Sequence, residues 1–173
     1  MSWNIRLRLA LLVLVTVVLQ TTLFPDLRVF GVAPDLGLVA TIAVAYQIGP
    51  ERGAVYGFAN GLAIDLFLRT PLGISALSFA LVAFGVGIAQ TGLARAPRFV
   101  APLFGGIGGL AGGLIFVSVA ALAGEDQVLA WRSVWVLLLA AIYDAVVAVP
   151  VFPIGRWATR GVESGVMRRG TVA

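Results

Sequence analysis

Residues 133–154 read SVWVLLLAAIYDAVVAVPVFPI. About 20 apolar residues carry a helix across the hydrocarbon core of a bilayer, and this run supplies them with a single charge, Asp144. The rest of the chain has the same character. Of its 173 residues 60% are hydrophobic and 12% charged, and the mean hydropathy is +1.02. Soluble domains hold roughly 45–50% apolar and 25% charged residues. Both departures make lipid the solvent.

Working back from this run, the chain divides into about six spans. The first is about 7–24 (LRLALLVLVTVVLQTTLF), stopped by Pro25, and it follows Arg6. No A-x-A-like cleavage site follows it, which predicts a retained anchor rather than a signal peptide. After a loop over 25–34, Pro34-Asp35 opens an unusually short span at about 34–49. Pro suits the first turn of a helix and an acid suits its positive end. Gly49-Pro50-Glu51-Arg52 reads as a turn, and a third span covers about 53–68. Arg69 to Gly73 breaks it, and spans follow at about 73–93 and 100–123, separated by a basic loop with Arg95 and Arg98. The acidic loop Gly124 to Gln127 and the Trp131/Trp135 pair lead into the sixth span at about 133–154, which Pro150 and Pro153 kink or end. Residues 155–173 form a basic tail. The expected fold is therefore all-α, one polytopic membrane bundle without a soluble domain.

All 12 basic residues are Arg. With the N-terminus in the cytoplasm, Arg6, Arg8, Arg52, Arg95, Arg98, Arg156, Arg160, Arg168 and Arg169 lie inside and Arg28, Arg69 and Arg132 outside. Basic residues collect on the cytoplasmic side of bacterial-type membrane proteins, so both termini are expected there. The same bias accounts for a pI near 10.7 without a nucleic-acid partner. Cysteine and histidine are absent, which excludes disulfides, thiolate nucleophiles and Cys- or His-liganded metals. Neither a metal nor a cofactor is expected, and any general acid or base would have to be Asp, Glu or Tyr.

Three features carry more specific information. In the third span Gly53, Gly57, Gly61, Asp65 and Arg69 recur every fourth residue and share one helix face. Three glycines in a row admit a close backbone neighbour. The row then reaches Asp65, with Asn60 nearby. It reads either as a packing face ending in an Asp65–Arg69 pair, or as a face that turns Asp65 and Asn60 toward a partner or cavity. Asp144 is the second feature: at its depth a carboxyl must be hydrogen-bonded or protonated, and Asn60, Tyr46 and Gln47 are the candidates by depth. In the fifth span, Ala101, Gly105, Gly109 and Gly113 form one row, and Gly108 and Gly112 another. A dinucleotide or P-loop reading fails, since no strand precedes the run and no Lys follows it. Close helix packing remains, against an internal or an external neighbour.

Pro34-Asp35-Leu36, then GAVYGFANGLAIDLF over 53–67, then PLGISAL over 71–77 resembles the MreD family of bacterial rod-shape-determining membrane proteins. That family shows a PDL start, a GxxxGFxxGLxxDL segment and a PLGxSAL-like segment in this order. The resemblance covers about 34–90. It implies a non-enzymatic scaffold of the cell-elongation machinery that binds MreC and, through it, a RodA-type glycosyltransferase, a penicillin-binding transpeptidase and MreB. It also implies a bundle like the substrate-binding subunits of energy-coupling-factor transporters. Weight falls on Pro34, Asp35, Gly57, Gly61, Asp65, Leu72 and Gly73 as fold and interaction positions rather than catalytic ones.

Two other classes compete. A small-molecule carrier needs convergent polar groups in a cavity, and the intramembrane polar residues are few: Tyr46, Gln47, Asn60, Asp65, Ser75, Ser78, Ser118 and Asp144. An intramembrane aspartyl hydrolase would need Asp65 and Asp144 to meet as a dyad. Tyr143-Asp144 echoes such proteases, but the companion G-x-G-D is absent.

Overall fold

The computed structural model describes residues 3–23, 31–67, 72–90, 99–122 and 131–162. Among them are six helices: α1 Trp3–Thr22, α2 Leu36–Ile48, α3 Pro50–Asp65, α4 Ile74–Ala89, α5 Val100–Leu122 and α6 Trp131–Thr159. Their lengths differ widely. Helices α1, α5 and α6 contain stretches long and apolar enough to cross a membrane, whereas α2 and α4 are shorter apolar helices. At 1.5 Å per residue the 13 residues of α2 rise about 20 Å and the 29 of α6 about 43 Å.

Helix α2 is the axis of the bundle, packed against each of the other five helices. Every residue from Leu36 to Ala45 is buried, because a helix surrounded on all sides needs small or branched apolar residues all round. The outward surface is apolar as well: Leu11 and Leu14 on α1, Val55 and Phe58 on α3, Leu81 and Phe84 on α4, Ile107 on α5 and Ile142 and Val146 on α6 are exposed. Thr16, Thr41, Asn60, Asp65, Ser75, Ser78 and Asp144 are buried instead. Lipid gives no hydrophobic drive between helices, so packing and interhelical hydrogen bonds hold such a bundle.

Several helix ends depart from the sequence expectation. Gly49-Pro50-Glu51-Arg52 is not a turn of its own: Pro50 is already the first residue of α3 and Glu51 lies in its first turn. The reversal falls on Gly49 alone, at φ 86°, where a side chain would be strained. Helix α6 runs through Pro150 and Pro153 to Thr159, so the prolines do not end it and the first residues of the expected tail continue the helix. Carbonyls freed by proline are tolerated where neighbouring helices re-satisfy them, and this segment is packed, with Gly155 seated on Ala43 of α2.

Candidate functional site

Most of the buried polar residues lie toward the starts of α2 and α4. The first backbone N–H groups of a helix have no partner within it, and in lipid no water can supply one. Each start is met by carboxylates.

At α4 the acceptor is Asp65, the last residue of α3, only 1% exposed. Its Oδ2 accepts from the backbone N–H of Gly73 at 2.9 Å and of Ala76 at 3.2 Å, and its Oδ1 from Ser75 at 3.3 Å. Gly73, at φ 102°, turns the chain so that these donors converge, and its carbonyl accepts the N–H of Leu77. The end of α3 at Asp65 and the Gly73–Leu77 segment are therefore two halves of one capping arrangement. Leu72 lies at its rim, 66% exposed. Arg69 falls outside the described residues, so the Asp65–Arg69 pairing does too.

The glycine row leads to that cap. A Cβ on Gly61 would lie 2.5 Å from the Ser75 carbonyl oxygen and 2.6 Å from Ala76 Cα; on Gly57, 2.7 Å from the Phe79 carbonyl oxygen; on Gly53, 2.7 Å from Ala45 Cβ. The face turned by Gly53, Gly57 and Gly61 is thus filled by α4 and α2 of the same chain. Asn60 is fully buried beside it. Its Nδ2 donates to the Gly37 carbonyl at 2.8 Å and Thr41 Oγ1 at 3.1 Å, and its Oδ1 accepts from Thr16 at 3.2 Å. It ties α3 to α2 and α1.

At α2 three side chains converge. Asp35 accepts from the Leu38 N–H at 3.0 Å as the helix cap. Gln20 of α1 accepts from the Leu36 N–H at 2.9 Å and donates to the Pro34 carbonyl at 3.4 Å. Asp144 of α6 accepts from the Asp35 N–H at 2.8 Å. The partners expected for Asp144 on grounds of depth are corrected here. Asn60 is engaged elsewhere, Tyr46 stacks edge-on with Phe104 at 5.1 Å, and Gln47 lies in the last turn of α2. The physical reason is that α2 is short and begins at the level of Asp144. Asp65 and Asp144 serve different helix starts, and among the described residues no hydrogen bond joins them as a dyad would require.

Both glycine rows of α5 also face inward. Cβ atoms on Gly105 and Gly109 would meet Ala148 Cβ at 2.5 Å and Asp144 Oδ2 at 2.6 Å, and one on Gly113 would strike Leu137, all on α6; Gly108 and Gly112 abut Ile42 and Leu38 of α2. Gly109 is the recess that holds the Asp144 carboxylate. Sequence reading did not single out Gln20, Thr16, Thr41 or Gly37. The signal available for Thr16 and Gln20 was a polar side chain inside an otherwise apolar span.

No curated protein and no solved structure matched the chain. A comparison with protein families matched residues 2–154 to the family described as rod shape-determining protein MreD. That match covers most of the chain and includes both capped helix starts, the glycine row of α3 and the glycine rows of α5. The chain belongs to the MreD family of membrane proteins that determine rod shape.

Proposed function

We propose that this protein is a non-enzymatic membrane scaffold of the cell-elongation machinery. It crosses the cell membrane six times with both termini in the cytoplasm, binds MreC, and through MreC supports the RodA-type glycosyltransferase, the penicillin-binding transpeptidase and MreB. Family membership supports the role in cell shape. One structural observation carries the non-enzymatic reading: Asn60, Asp65 and Asp144 are all spent on tying helix to helix. A catalyst or carrier needs polar groups converging on a substrate, and these converge on backbone groups and on the hydroxyls of Thr16 and Thr41. On this reading Pro34, Asp35, Gly53, Gly57, Asn60, Gly61, Asp65, Gly73, Gly105, Gly109, Gly113 and Asp144 act by fixing the shape of the bundle. Partners then meet its exposed apolar surface.

The test is co-expression with tagged MreC, extraction in mild detergent and pull-down, alongside complementation of a rod-shaped cell depleted of its own MreD. Co-purification together with restored rod shape is expected. Rounded cells and no recovery of the protein with MreC, at normal membrane levels, would refute the scaffold reading.

A further inference from the structure

At the end of the bundle opposite the capped helix starts, the last turns of α2 and α6 border a cavity of about 460 Å³ lined by Gln47, Arg156, Thr159, Arg160 and Gly161. Its chemistry differs from the rest of the molecule. Two arginines line it and, among the described residues, no acidic residue does. Gln47 Nε2 is buried with no hydrogen-bond partner among the described residues. Thr159 is not a free donor, since its hydroxyl is bonded to the Gly155 carbonyl at 2.9 Å.

Arg156 in the last turn of α6 complements the negative end of that helix. That role needs one cation at the helix end. It accounts for neither the second Arg on the same concavity nor the buried amide donor. A planar guanidinium pair with an added N–H suits a tetrahedral oxyanion, which Arg binds through paired hydrogen bonds. The surroundings set the level in the bilayer. Trp157 is 44% exposed, with the Arg8 guanidinium 5.1 Å above its ring, and Ile154 is exposed one turn before it. Trp and Arg mark the membrane–water interface, which argues for the cavity lying at headgroup height. Basic pockets between helices at that height bind anionic headgroups.

We propose that this cavity binds a phosphate-bearing anion, held by Arg156, Arg160 and Gln47, and that its source is the headgroup of an anionic phospholipid. The probes are phosphatidylglycerol, phosphatidylcholine and inorganic phosphate, each added to the full chain purified in neutral detergent and read by native mass spectrometry and thermal melting. Wild type retains phosphatidylglycerol in preference to phosphatidylcholine. Combined Arg156→Gln and Arg160→Gln lowers that retention at least about tenfold, the loss expected from one or more charge-assisted bonds, and Gln47→Leu lowers it less. Arg52→Gln, exposed on α3 and outside the cavity, leaves it unchanged. Displacement of the lipid by millimolar phosphate would keep the anion site and overturn the lipid as its source. Equal retention of the two lipids by wild type overturns the proposal even if the Arg variants fail to fold. So does wild-type retention in a folded double variant.

Discussion

Replacing Asp65 separates a capping role from every other account of a carboxylate at this position. Its two oxygens accept three backbone N–H groups, from Gly73, Ser75 and Ala76, at a place only 1% exposed. Asp65→Asn keeps one oxygen. Turned so that this oxygen takes the Gly73 and Ala76 donors, the amide nitrogen faces the Ser75 N–H, the longest of the three bonds at 3.3 Å. One buried donor is then unpaired, at a cost of about 1–3 kcal/mol. Asp65→Leu has similar bulk but no acceptor, and leaves all three donors unpaired, each at about 1–3 kcal/mol. For a chain of 173 residues each kcal/mol shifts the melting temperature by about 2–4 °C. The expected order in one detergent is wild type, then Asn lower by several degrees, then Leu much lower or unable to fold. A partner-facing carboxylate predicts the reverse for Leu, because removing a buried charge from an isolated membrane protein would then be neutral or stabilising. A Leu variant melting at or above wild type would refute the capping argument.

The helix contacts set the outcome of other replacements, and the Arg distribution that of a topology reporter. Gly61→Ala should lower the melting temperature, since its Cβ would lie 2.6 Å from Ala76 Cα and overpacking costs about 1–3 kcal/mol. Gly85→Ala on α4, where a Cβ meets nothing within 4 Å, should raise it by the helix preference of Ala, about 1 kcal/mol; equal shifts in the two would show the α3–α4 contact is not close. Asp144→Asn should stay near wild type, because an oxygen still accepts the Asp35 N–H, whereas Asp144→Leu should lose about 1–3 kcal/mol. Gly109→Ala should resemble the Leu variant by displacing that carboxylate, and a fully stable Gly109→Ala would count against the recess. A reporter active only outside the cytoplasm, fused after Ala173, should give no signal, and a strong signal would reverse the proposed topology.

The class of fold was legible because lipid leaves a compositional mark that no local detail can hide. The glycine rows were legible too, as close contacts, since four-residue spacing puts small residues on one face whatever lies opposite. What lay opposite was not: nothing in Gly57 or Gly109 names Phe79 or Asp144 as the neighbour. Proline does not mark helix ends uniformly in this chain. Pro50 starts α3 and Pro153 sits inside α6, and only the packing around each decides which role it takes.

The carboxylates were the hardest to read, and the reason is physical. An acid near the bilayer centre costs on the order of 2.5–3.5 kcal/mol on an inserting helix, so the sequence invites a search for a cation or a partner protein to offset it. The structure supplies backbone instead. Helix α2 has 13 residues and α4 has 16, or about 20 and 24 Å, against a hydrocarbon core of about 30 Å. Helices this short fall below that thickness, and a start held inside the bundle finds partners for its first N–H groups in protein. Acceptors are then required at depth, and a carboxylate, with two oxygens and no donor, satisfies more N–H groups than any neutral side chain. The short spans and the buried acids are therefore one feature: lengthening α2 to the full bilayer would remove the need for Asp35 and Asp144, and lengthening α4 the need for Asp65.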